Sequence, residues 1–64
     1  MERLVKDLEY DYAVLLSKDS EIEEEDKRLC FDVQRAFLNC QPVQEYKIAR
    51  VKELWDIRDA VFLG

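Results

Sequence analysis

The sequence predicts an all-α fold, in which three amphipathic helices joined by short connections form a single domain over residues 1–64. Apolar residues recur at helical spacing in three long segments. The chain has one proline and one glycine, and it has no threonine, so strands have little support. A 64-residue chain buries a small core, and chains of this size often gain stability by oligomerising.

The first predicted helix covers residues 2–16 and has one narrow apolar face. Six side chains share this face at helical periodicity: Leu4, Val5, Leu8, Tyr12, Leu15 and Leu16. Tyr10 and Val14, spaced i,i+4, fall on the opposite face. We therefore expect the six side chains to face the core and the Tyr10/Val14 pair to lie on the surface.

The second predicted helix covers residues 21–38. Ser20 followed by Glu23 matches a capping box, in which each side chain satisfies a free amide at the start of the helix. The expected core face consists of Ile22, Leu29, Val33, Ala36 and Phe37, with Cys30 at its edge. Phe31 and Leu38, spaced i,i+7, fall on the far side of this helix.

The third predicted helix covers residues 42–62 and has more apolar surface than one neighbour can cover. Asn39 is expected to end the preceding helix in a left-handed conformation, and Pro42 suits a first helical position. The two apolar stripes are Val43, Tyr46, Leu54, Ile57 and Val61, and Ile48, Val51, Trp55 and Phe62. Either the helix lies between two neighbours of its own chain, or one stripe faces another chain.

The net charge of −5 lies entirely in residues 1–40, which have eleven acidic and six basic residues. Residues 41–64 have four of each. This balance argues against direct nucleic-acid binding, which needs clustered basic residues, and against binding to anionic membranes. No apolar run approaches the ~20 residues of a membrane span, and the N-terminus is too charged for a signal peptide. We therefore expect a soluble, cytoplasmic protein.

The residue types do not support catalysis, a cofactor or a metal site. The chain has no histidine, so it has neither the usual base of a catalytic triad nor a zinc ligand set. Its single glycine, at the end, excludes a glycine-rich phosphate loop. A helix between Cys30 and Cys40 would hold their Cα atoms ~15 Å apart, which is too far for a disulfide. We expect both thiols to be reduced and buried, and we expect no small-molecule substrate.

Each predicted helix has a second, smaller apolar set, and three such sets exceed what a small monomer usually exposes to water. These sets are Tyr10 with Val14, Phe31 with Leu38, and Ile48 with Trp55 and Phe62. They predict a non-catalytic protein–protein interaction module, a regulator, adaptor or inhibitor, that forms a homodimer through the third helix. Trp55 is the expected anchor, because tryptophan is enriched in binding hot spots. The predicted partner-binding residues are Trp55, Phe62, Ile48, Phe31 and Leu38.

Two alternatives remain open at this point. The first is an acidic decoy or nucleic-acid mimic, of the kind encoded by phages or mobile elements, that inhibits a basic target. It would bind through Glu21, Glu23, Glu24, Glu25 and Asp26. The same acidic run is also typical of a first helical turn followed by a solvated face. The second alternative is a structural subunit of a larger assembly, and the first helix could pack on its own chain or swap into another.

Residues 33–62 contain a helix end, a short break with the pattern Pro-Val-x-Glu-Tyr, and a long helix. The positions involved are Pro42, Val43, Glu45, Tyr46 and Leu54. In these residues the segment resembles the YlbF/YmcA-like family of small helical bacterial regulators. The resemblance covers under half of the chain and rests on a motif of low specificity, and family members are longer, with a further long helix. It implies an all-helical protein that acts by assembling with partner proteins, without catalysis.

Overall fold

The computed structural model describes residues 1–63, and the side chains of residues 1–60. It confirms the predicted all-α fold, with three helices and a two-stranded ladder. The elements are β1 (Glu2–Arg3), α1 (Asp7–Ser17), α2 (Glu24–Leu38), β2 (Val43–Gln44) and α3 (Glu45–Leu63). Within the described residues, no helix is both long enough and apolar enough to span a bilayer.

The three helices run up, down and up. The side-chain amide of Gln34 in α2 donates a hydrogen bond to the Ala13 carbonyl in α1 at 3.2 Å, and Lys47 in α3 donates to Asp32 in α2 at 3.0 Å. Short connections make sequential helices antiparallel neighbours, so α1 and α3 run in the same direction. The resulting bundle measures 35 × 18 × 18 Å.

The core lies along the axis where the three helices meet. Its largest fully buried side chains are Leu16, Ile48, Val33, Val51 and Cys30. Burying a Leu, Ile or Val side chain contributes roughly 1.5–3 kcal/mol, so these few residues supply much of the stabilisation of so short a chain. Ala13 and Ala36 are also buried, and their small side chains let the helix backbones approach closely.

The predicted core face of the first helix is wrong in part, because residues 2–6 are not helical. The helix begins at Asp7 and buries Glu9, Ala13 and Leu16. Leu4, Leu8 and Leu15, all expected in the core, are exposed by 60%, 59% and 45%. The predicted apolar face of residues 4–16 assumed one continuous helix, and this assumption fails because the helix begins only at Asp7.

Tyr10 was predicted to lie on the surface, but it is half-buried and packs against α2. Its ring stacks on Phe37 with centroids 4.5 Å apart and an angle of 22° between the ring planes. Val14 is half-buried. Tyr10 therefore belongs to the α1–α2 contact, and the predicted Tyr10/Val14 surface patch is wrong for Tyr10.

A short ladder replaces the predicted helical starts at residues 2 and 42. Strands β1 and β2 pair antiparallel, with Glu2 opposite Gln44 and Arg3 opposite Val43. The Glu45 amide, at the start of α3, donates to the Met1 carbonyl at 2.9 Å. An edge position suits the chain next to Pro42, because proline favours extended neighbours and has no amide to donate. The ladder thus joins the starts of the two parallel helices.

The charged pair Arg3–Glu9 fixes this corner. Arg3 donates two hydrogen bonds to the Glu9 carboxylate, at 3.0 and 2.5 Å, and the backbone amide of Lys6 donates a third at 2.9 Å. Glu9 is only 5% exposed. Burial alone would raise the pKa of Glu9, but the hydrogen bonds and the charge of Arg3 outweigh burial and hold that pKa below its ordinary value.

The predicted capping box of the second helix is also wrong. The helix α2 begins at Glu24, and the Glu23 side chain makes no capping hydrogen bond. In the connection before it, the Asp19 carboxylate accepts the Glu21 amide at 3.0 Å and forms an Asx turn. This turn satisfies a backbone donor locally, so the chain enters the helix three residues later than predicted.

The second helix ends at the predicted place, but with a different residue in the left-handed position. Asn39 has a φ of −92°, whereas Cys40 has a φ of 54°. The Gln41 amide donates to the Ala36 carbonyl at 2.8 Å and the Cys40 amide donates to the Phe37 carbonyl at 3.1 Å. These two bonds form a Schellman motif, which satisfies the last carbonyls of α2.

We predict that Arg3→Met lowers the free energy of unfolding by about 1–2 kcal/mol at pH 7, because it leaves the Glu9 carboxylate buried without its partner. The lowered pKa of Glu9 means that the wild-type pair stabilises the fold above the ordinary glutamate pKa, and that this contribution is lost as the pH falls through the folded value. The difference between wild type and variant should therefore shrink at pH 3. Urea denaturation followed by circular dichroism measures both values.

Arg35→Met is the matched control, since Arg35 is exposed on α2, and it should change stability little at either pH. A difference between wild type and Arg3→Met that is the same at pH 7 and pH 3 would contradict the proposed role of the Glu9 charge.

Candidate interaction surfaces

Trp55, the expected anchor, joins α1 to α3 within the chain. It is half-buried, and its ring stacks on Tyr12 with centroids 4.4 Å apart and ring planes 16° apart. The guanidinium of Arg58 lies 5.5 Å from the Trp55 ring centroid, a cation–π contact. Ile48, also predicted to bind a partner, is a core residue with 1% exposure. In this fold Ile48 has no surface to offer to another chain, which corrects that prediction.

The two stripes of the third helix have exchanged roles only in part, because Val43 and Leu54 of the first stripe stay in or against the core. The stripe of Ile48, Val51 and Trp55 faces the core, whereas Tyr46 and Ile57 of the other stripe are exposed by 62% and 53%. The side chains of Val61 and Phe62 lie outside the described residues.

One sequence signal could have predicted this exchange. At 100° per residue Arg50 falls within the arc that Tyr46, Ile57 and Leu54 span, and Glu53 borders that arc, whereas from Glu45 onward the Ile48/Val51/Trp55 arc contains apolar residues only. A stripe that includes charged residues is better suited to the surface than to the core.

Phe31 and Leu38 lie on the outer side of α2 as predicted, with 49% and 67% exposure. Whether they bind a partner stays a prediction. With the exposed residues described above, every helix has one apolar pair on its outer side at a spacing of seven or eleven residues, which keeps each pair on one stripe. We call these the outer pairs: Leu8/Leu15 in α1, Phe31/Leu38 in α2 and Tyr46/Ile57 in α3.

Two open grooves flank the exposed stripe of α3. The end groove, of about 710 Å³, lies between the end of α1, the α1–α2 connection and α3. Its apolar lining residues are Leu15, Ile22, Leu54 and Ile57. The side groove, of about 620 Å³, lies between α2 and α3 and is lined by Leu29, Tyr46 and Ala49 among others. Asp26 and Arg50 line both grooves, so the two meet at this ion pair.

Arg50 is held by two carboxylates of its own chain. Its Nε and Nη2 atoms donate to Asp26 at 3.3 Å each, and its Nη1 atom donates to Glu53 at 2.6 Å. The hydrogen bond to Asp26, followed by the charges of both carboxylates, raises the pKa of Arg50. Arg50 is therefore charged at every physiological pH and is fixed in position on the outer side of α3.

The net charge is concentrated in residues 18–26, most of which line the end groove. Residues 18–26 contain six acidic residues and one lysine, whereas the rest of the chain has nine acidic and nine basic residues. Of the predicted acidic surface, Asp26 is paired with Arg50. The other members, Glu21, Glu23, Glu24 and Glu25, are exposed. The excess of formal negative charge therefore lies in residues 18–26, at one end of the bundle.

The two cysteines differ in environment. Cys30 is buried, and burial, with a smaller contribution from the charge of Asp26, raises the pKa of its thiol to about 11. Cys40 is exposed, so the prediction that both thiols are buried is wrong for Cys40. Among the described residues, no three potential ligands cluster in a way that could hold a metal ion.

Comparison of this chain with protein families, with curated proteins and with solved structures finds no match.

We predict that one thiol per native chain reacts with Ellman's reagent at neutral pH and that two react in denaturant. Cys40 is exposed, whereas Cys30 is buried with a raised pKa, so Cys30 has almost no reactive thiolate until the chain unfolds. The Cys40→Ser variant should show no fast-reacting thiol when folded. A native reaction rate in that variant equal to its denatured rate would contradict the assignment.

Proposed function

We propose that this chain is a small, non-catalytic protein–protein interaction module that acts by presenting apolar helical surface to other polypeptide chains. Regulators, adaptors and inhibitors of this kind bind by placing a helix face in a groove or by completing a bundle. We place its action in the cytoplasm, where unpaired thiols stay reduced.

The outer pairs are the observation that carries this proposal. Single exposed hydrophobic side chains are normal on a monomer and need no explanation. Here the exposed residues recur at helical spacing on all three helices, so that each helix has a stripe that its own chain leaves in contact with water. Stripes of this kind mark protein interaction sites. The resemblance of residues 33–62 to YlbF/YmcA-like regulators would imply the same mode of action, and we include it in the proposal.

We predict that a photoreactive phenylalanine analogue placed at Phe31 or Tyr46 forms covalent adducts of discrete mass in cells that produce the protein naturally. Both positions lie in outer pairs, so a bound chain would lie within reach of the probe. Gel electrophoresis and mass spectrometry identify the adducts and separate a second copy of this chain from other proteins.

Lys52 is the control position, because it is exposed on α3 outside the apolar stripe, and a probe there should give few or no adducts. Equal adduct yields at Phe31, Tyr46 and Lys52, or no discrete adduct at any of them, would overturn the proposed function.

An acidic decoy is the second candidate, and the concentration of charge in residues 18–26 favours it. Four glutamates of this segment are exposed and could contact a basic site that normally binds phosphate groups. Such a decoy would bind through charge, whereas the outer pairs bind through apolar contact. The two candidates therefore differ in their dependence on ionic strength.

The candidates are separated by measuring the affinity of the isolated chain for a cross-linked partner between low and high salt. Apolar docking predicts an affinity that changes little, whereas a decoy predicts a loss of tenfold or more and competition by duplex DNA. The Glu23→Lys/Glu25→Lys variant should abolish decoy binding, whereas Asp11→Lys/Asp56→Lys makes the same charge change elsewhere on the surface and should not. Equal effects of the two variants would rule out the decoy.

A further inference from the structure

We propose that the outer stripe of α3 binds α3 of a second copy of this chain, in an antiparallel contact around a two-fold axis. This inference rests on the proposed function, since it names one partner of the outer pairs. Three features of the molecule support it: the order of residues along the stripe, the charges at its centre and the contrast with the other two helices.

The exposed stripe of α3 reads the same from either end. Tyr46, Arg50, Glu53 and Ile57 follow one another at intervals of four, three and four residues. An antiparallel second copy can therefore be placed so that Tyr46 meets Ile57 and Arg50 meets Glu53 of the other chain. This arrangement forms two equivalent Tyr46–Ile57 contacts, one at each end of the stripe, as a two-fold interface requires.

The charges at the centre select the antiparallel direction. With Arg50 opposite Glu53 of the second copy, two attractive pairs flank the axis. A parallel arrangement in the same register would bring like charges together, which is unfavourable. Arg50 is already held by Asp26 through Nε and Nη2, and its Nη1 donates to Glu53 of the same chain, so each interchain pair extends an existing intrachain ion pair. Arg50 therefore faces the second copy in a fixed orientation, and a preorganised side chain loses little entropy on binding.

The shape of the stripe allows close contact. Ala49 and Ala60 are exposed beside it, and small side chains let two helices approach to about 8–10 Å between their axes. The stripe residues also line the two grooves: Tyr46, Arg50 and Glu53 line the side groove, and Arg50 and Ile57 line the end groove.

The other outer pairs are less suited to pairing with themselves. Placing Leu8 on Leu15 of a second α1 brings the two Asp11 side chains together at the axis. Placing Phe31 on Leu38 of a second α2 does the same with the two Arg35 side chains. Among the three outer pairs, only that of α3 has opposite charges around the symmetry axis.

A contact between two single helices buries less surface than a standard stable interface. We therefore expect a reversible dimer with a dissociation constant on the order of ten micromolar. Sedimentation equilibrium of the reduced protein, over a hundredfold concentration range that brackets this value, should show a monomer–dimer equilibrium.

Exchange of the central charges tests the register. Arg50→Glu and Glu53→Arg should each weaken self-association at least tenfold, because each places like charges at the axis. A mixture of the two variants should form a heterodimer, since the two central glutamates of one chain then face the two central arginines of the other. Circular dichroism checks the fold of Arg50→Glu, which also loses the ion pair with Asp26. Failure of two folded variants to form the heterodimer would overturn the proposal.

Disulfide trapping supplies a second test that does not depend on Arg50. In a Cys40→Ser background, a mixture of Tyr46→Cys and Ile57→Cys chains should oxidise to a covalent heterodimer, whereas each chain alone should stay monomeric on a non-reducing gel. Leu38→Cys mixed with Ile57→Cys is the control, because Leu38 is as exposed as Tyr46 but lies on another helix. Equal cross-linking in the control mixture would overturn the antiparallel contact.

The two proposals can fail separately. A chain that stays monomeric in sedimentation, while probes at Phe31 or Tyr46 still form adducts with other proteins, overturns the dimer and supports the proposed function. The absence of all adducts would overturn the proposed function itself.

Discussion

The ion pair between half-buried Arg3 and buried Glu9 is the interaction on which the arrangement of this small bundle depends. Glu9 would be costly to bury alone, and it is tolerated because Arg3 and the Lys6 amide satisfy the carboxylate. Arg3 also belongs to β1, whose partner strand β2 leads directly into α3, and its Nε atom lies 3.9 Å from Glu45. The Arg3 guanidinium thus connects β1 to the first turns of both α1 and α3.

This constraint decides which faces of the helices meet. With Glu9 drawn inward, the same side of α1 presents Ala13 and Leu16 to the core, and Leu8 and Leu15 turn outward. The position of α3 is fixed by β2, which leads directly into it. The helix buries Ile48 and Val51, while Tyr46 and Ile57 stay exposed to water. The apolar outer surfaces follow from the packing of the inner ones, because each helix has more apolar residues than its neighbours can cover.

Periodicity and composition were sufficient to predict three helices, their order and their antiparallel neighbours. They could not predict the rotation of α1, because burial of Glu9 depends on Arg3, a contact that no hydropathy pattern contains. Propensity favours Asn39 as the left-handed residue at the end of α2, whereas the backbone places it at Cys40. Among the predicted partner-binding residues, Phe31 and Leu38 are exposed, whereas Ile48 is in the core. The prediction for Ile48 was wrong because apolar periodicity alone does not distinguish a second core stripe from a surface stripe.

The two-residue ladder has a consequence for how the chain folds. Its paired residues, Arg3 and Val43, are forty positions apart, so forming it closes a long loop for very few hydrogen bonds. The contacts between α1 and α2 are local by comparison and cost less chain entropy to form. We expect the α1–α2 hairpin to assemble early and the ladder to close last. The ladder would then open before the helix contacts in the native state, so that the start of α3 is less firmly held than the α1–α2 hairpin.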